Sequence, residues 1–204
     1  METKERLYFC LSQGFRMVFA LLLFFFLLGI AFGYGAWQEN RPQVTELMEM
    51  LVKNQAVPVL RGGGANRLVL AGWVFINNLQ AGVAMVFLGG LFPFFPPFII
   101  SGNGMIIGMA AGYFEANKLI TRNLFFLGLL PHGLFELAGL LFAAAMGVMW
   151  GAKNWLGWLR LRNSRGFFAN TKDFISLVPL VIVLLLLAAI IEMFITPALF
   201  SSTM

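Results

Sequence analysis

The chain has 204 residues, 60% of them hydrophobic and 11% charged, against roughly 25% charged in a soluble globular domain. That composition, with a mean hydropathy of +0.84, excludes a soluble enzyme domain. It points to an all-α polytopic membrane protein, a transmembrane helical bundle, because hydrocarbon tolerates a spanning backbone only when its polar groups are paired internally. The formal charge of +5 resides in the tail and in loops between apolar runs, where it suits lipid headgroups and topology. No nucleic-acid partner is expected. The single cysteine, Cys10, has no intramolecular disulfide partner and reads as a buried or interfacial thiol.

Residues 1 to 16 are short, mixed in charge and partly amphipathic, and lead into a run from about Met17 to Trp37. This run exceeds the roughly 7 to 15 apolar residues of a secretory signal and lacks a small-residue cleavage site, so it reads as a retained signal-anchor helix. Gly29 and Gly33 give it one small-xxx-small pair. Within the polar connection 38 to 66, Pro42 opens a stretch to about residue 55. There Val44, Leu47, Met48 and Leu51 keep helical spacing, which predicts an amphipathic helix resting on the membrane or bundle, or binding a partner. The glycine-rich residues 61 to 66 lack a phosphate-binding lysine and read as a hinge.

A second span is predicted from about Leu68 to Leu91, with Asn77, Asn78 and Gln80 pointing to different sides; at least one amide must look into the protein. Pro93, Pro96 and Pro97 mark a tight turn at the membrane boundary. The third span, 98 to 114, carries Asn103 and repeats Gly104, Gly108 and Gly112 every four residues. The fourth, 123 to 150, repeats Gly139, Ala143 and Gly147, with Pro131 supplying a kink. Both stripes predict close helix packing, of the third span against the fourth. A basic loop from 151 to 175 precedes a fifth span, 176 to 195. All five spans belong to one membrane domain, 1 to 204.

With the N-terminus in the cytoplasm, the inner side holds Lys4, Arg6, Arg16, Lys153, Arg160, Arg162, Arg165 and Lys172. The outer side holds Arg41, Lys53, Arg61, Arg67, Lys118 and Arg122. The small excess of basic residues, eight to six, favours this orientation; a re-entrant hairpin of the second and third spans, which the Pro-rich turn leaves open, would change the count.

Ionisable groups at membrane depth are costly and mark sites. His132, the sole histidine, stands four residues before Glu136, so a helix stacks the two on one face; Glu192 is the remaining carboxylate within a span. With Asn77, Asn78 and Asn103 they form the candidate intramembrane polar cluster. Three readings stay open: hydrogen-bonded glue between helices, a solute or proton pathway, and catalysis. A zinc hydrolase normally shows two histidines, as in H-E-x-x-H, and no serine or cysteine nucleophile motif appears. His132 with the two glutamates could make a three-ligand site on paper, but no sequence spacing supports it. No catalytic set, metal site or cofactor is expected, and an intramembrane metal-dependent hydrolase is the weaker alternative.

Four strings carry a resemblance: Asn77-Asn78, the run from Gly102 to Gly108, LPHGLFELAG from Leu130 to Gly139, and IIEMFITP from Ile190 to Pro197. Together they resemble the stage II sporulation protein M family of integral membrane proteins, P-H-G-x-x-E being the most specific part. The resemblance implies around five spans and, as matching motif positions, Asn78, Asn103, His132, Glu136 and Glu192. It also implies a scaffold or accessory subunit for a cell-envelope process, like the family's namesake, which holds peptidoglycan-degrading partners during engulfment. The expected location is the cell membrane, with membrane or envelope proteins and a second copy of the chain as partners. The rival is a small transporter or channel subunit using the His/Glu/Asn cluster.

Overall fold

The computed structural model describes residues 13–60, 67–117, 122–159 and 177–196. Cys10, the 61 to 66 hinge and most of the basic loop lie outside them. The described residues are helical, with no strand. Helix α1 is Gln13–Glu39, α2 Arg41–Leu60, α3 Arg67–Leu91, α4 Phe95–Ala116, α5 Arg122–Trp158 and α6 Val178–Ile190, which continues as a π-helical turn over Ile191–Ile195. Five of these stretches, all but α2, are long and apolar enough to cross a membrane.

Helix direction follows from the packing. α1 and α4 run parallel, with Gly104 against Phe26, Gly108 against Ile30 and Gly112 against Trp37. α3 and α5 also run parallel, Gly82 facing Ala143 and Gly90 facing Trp150. α6 runs antiparallel to α5, and α3 and α4 are joined end to end by the short proline turn. One end of the bundle therefore carries the start of α1, the α3–α4 turn and the end of α5. The other carries α2, the starts of α3 and α5, and the π-turn.

In lipid there is little hydrophobic drive between helices, so fit has to supply the adhesion. Two glycine-lined crossings do so. At the first, a Cβ on Gly29 or Gly33 would run into the backbone of Ser101 or Met105, and one on Gly104 or Gly108 into that of Phe26 or Ile30. At the second, a Cβ on Gly89 would lie 2.7 Å from the Cα of Gly147, and one on Gly147 or Gly151 would meet the carbonyls of Met85 or Gly89. Gly139 instead makes room for the Leu185 side chain of α6. Between the crossings lies a core containing Leu22, Met85, Ile100, Met146 and Leu185.

These pairings correct one expectation. The third and fourth spans do not meet through their small-residue faces: the stripe of α4 serves α1, and the stripe of α5 serves α3 and α6. α4 enters antiparallel to α3 from a turn too short to bring its glycines round to α5, whereas α1 carries the complementary Gly29 and Gly33.

α5 also continues to Trp158, beyond the predicted end at 150. The extra turns are held from outside the helix. Asn154 Nδ2 donates to the Gly90 carbonyl at 3.0 Å and Trp155 Nε1 to the Leu91 carbonyl at 2.7 Å. Carbonyls in a helix's last turn have no intrahelical donor, so these side chains cap α3 while extending α5. α2 turns Val44 and Met48 onto Trp37 and Met109. Leu47, on the predicted apolar stripe, remains exposed.

Candidate functional site

α5 presents His132 and Glu136 one turn apart, as the spacing requires. The π-turn at the end of α6 presents Glu192 toward them. Each of the three offers one ligand-type atom, and these atoms all lie within 4.8 Å of one another. All three side chains are half-buried, so the group is lodged between the two helical segments that carry it.

Thr196, four residues beyond Glu192, completes the arrangement. Its Oγ1 lies 3.2 Å from His132 Nδ1 and donates to the Ile191 carbonyl at 3.4 Å. With the hydroxyl proton directed to that carbonyl, Oγ1 is left to accept from Nδ1–H. In that tautomer Nε2 carries the ring's lone pair. Because antiparallel packing opposes the start of α5 to the end of α6, a bond spanning 64 residues ties the two helices together.

The amides divide as at least one of them had to. Asn78 is buried on the inward side of α3, while Asn77 and Gln80 are exposed. Adjacent residues on a helix are turned about 100° apart, and inward placement of Asn78 sends Asn77 to the outer face. Asn103 is half-buried on α4, whose closest approaches are to α1. His132, Glu136 and Glu192 form one compact group, with Thr196 as the residue that sequence reasoning missed. Its signal was present: Glu192 and Thr196 share the four-residue spacing of His132 and Glu136.

A cavity of about 470 Å³ opens at the opposite end of α3 and α5, lined by Leu91, Phe92, Asn154, Trp155 and Trp158 among others. None of its lining side chains is ionisable, and Asn154 Oδ1 beside it is a buried acceptor without a partner.

Five apolar helices long enough to cross a bilayer, two of which bring three ionisable side chains together, define a polytopic helical membrane protein. The sequence matches the family described as Stage II sporulation protein M over residues 22–197, and the chain belongs to that family. It is also similar to an uncharacterised protein of Methanocaldococcus jannaschii, 33% identical over 130 residues that make up 61% of this chain and 69% of the archaeal one. No solved structure matches.

Proposed function

We propose that the chain is a non-enzymatic scaffold or accessory subunit of a cell-envelope process, residing in the cell membrane with the start of α1 on the cytoplasmic side. The observation that carries this reading is the exposure of Asn77 and Gln80 on the outer face of α3, near the middle of a membrane-crossing helix. An amide facing acyl chains lacks hydrogen-bond partners, and a second polypeptide in the bilayer supplies them. Family membership supports a role exerted through protein contacts. The His132, Glu136, Glu192 and Thr196 group then acts as a clasp that fixes α6 to α5.

The convergence of two carboxylates and an imidazole favours a second reading, transport of a proton or solute. The two separate experimentally. A scaffold requires the α3 face, so Asn77→Leu with Gln80→Leu abolishes complementation of a deletion strain, while His132→Gln and Glu136→Gln retain it if they fold. Proton or cation flux in liposomes containing the purified chain alone, lost in Glu136→Gln, would overturn the scaffold reading.

A further inference from the structure

We infer that His132, Glu136 and Glu192 bind one divalent first-row transition-metal ion of the zinc class, which bridges the start of α5 to the end of α6. Donor separation is the first support. Tetrahedral zinc with ligands at about 2.1 Å holds its donor atoms roughly 3.4 Å apart, and here the three donors already lie within 4.8 Å of one another. Closure by about 1.4 Å or less lies within the reach of side-chain torsions, so neither helix has to move.

Charge and donor type select the guest. Two carboxylates this close repel if both are ionised, and membrane surroundings screen that repulsion poorly. A divalent cation neutralises both while the imidazole binds as a neutral ligand. One nitrogen with two oxygens is a poor match for magnesium or calcium, which take oxygen alone, and lacks the thiolate of a soft-metal site.

The surroundings prepare the donors. Metal-bound histidines commonly give their other ring N–H to a fixed acceptor; Thr196 Oγ1, at 3.2 Å from Nδ1, can serve as that acceptor in the tautomer whose Nε2 takes the ion. Glu192 projects from a π-helical turn, a departure from α geometry that redirects side chains and recurs at functional sites. Three protein ligands leave a fourth position for water or an outside ligand.

The test uses the full chain in detergent without a polyhistidine tag, since His132 is the only histidine. Protein stripped with a chelator is titrated with Zn²⁺ and with Co²⁺, followed by metal content, visible absorption and melting temperature. We expect roughly one ion per chain and the absorption of four-coordinate Co²⁺. Affinity should fall on the order of 100-fold or more in His132→Gln, Glu136→Gln and Glu192→Gln, and on the order of 10-fold in Thr196→Val. Glu46→Gln, an exposed site on α2, should bind as the parent does. X-ray absorption of the zinc-loaded parent, which needs no variant to fold, should show nitrogen and oxygen ligands without sulfur. Substoichiometric uptake, sulfur ligation, or equal uptake by the three Gln variants would each overturn the site.

Discussion

Thr196 and His132 share a hydrogen bond, Oγ1 to Nδ1 at 3.2 Å, that joins the last turn of the C-terminal helical segment to the first turns of α5. Interhelical hydrogen bonds in membranes contribute about 0.6 kcal/mol on average and up to about 1.7. Thr196→Val keeps the shape and removes the acceptor. It should therefore lower stability by about that amount in a reversible unfolding titration in mixed micelles, and Thr196→Ser should restore most of the loss. Equal losses in the two variants would show that the hydroxyl contributes nothing there.

The α1–α4 crossing makes a sharper prediction. A methyl group on Gly108 meets the Ile30 carbonyl and one on Gly33 meets that of Met105, so relief requires the helices to separate. Gly108→Ala and Gly33→Ala should each cost about 1 to 3 kcal/mol, the usual penalty of overpacking. Gly102→Ala, on the same helix with nothing within 4 Å of the added carbon, should be nearly neutral. Melting in detergent checks all three, and a neutral Gly108→Ala would mean that the two helices sit farther apart than described.

How far the sequence could be read depended on whether a feature is local. Five long apolar helices were legible because length and hydropathy belong to each segment alone. His132 and Glu136 were legible as a pair because their spacing is a property of one helix. A glycine stripe announces that some helix comes close without saying which, and the α4 stripe was assigned to the wrong neighbour. The choice between Asn77 and Asn78 was hidden for a related reason: apolar residues surround α3 on every side, so no amphipathic pattern marks its inner face. The end of α5 was misplaced because hydropathy falls near 151 while bonds from Asn154 and Trp155 to α3 keep the helix going.

Helix directions turn the orientation into a labelling experiment. Glu46 is exposed on α2, at one end of the bundle, and Trp158 is exposed at the other. On a Cys10→Ser background, Glu46→Cys should react with a membrane-impermeant maleimide in intact cells, and Trp158→Cys only after permeabilisation. This is the direction in which the excess of basic residues faces the cytoplasm. The reverse pattern would place the His132 site, which lies toward the α2 end, near the cytoplasmic side instead.

The capping of α3 by α5 gives the last prediction. Trp155→Phe preserves an aromatic ring against Phe92 and Phe94, whose centroids lie 6.5 Å from that of Trp155, and deletes only the donor to the Leu91 carbonyl. Asn154→Ala deletes the donor to Gly90 and with it the buried, unpartnered Oδ1. A net hydrogen bond contributes about 0.5 to 1.5 kcal/mol. Trp155→Phe should fall at the low end of that range, because its exposed helix end lets water replace the lost donor. Asn154→Ala removes one satisfied group and one orphan together, and their opposite signs should leave it milder than a lone lost bond. The two bonds act on adjacent carbonyls of one helix end, so the double variant should differ from the sum of the singles. Strict additivity in a double-mutant cycle would show that they hold α5 and α3 together independently.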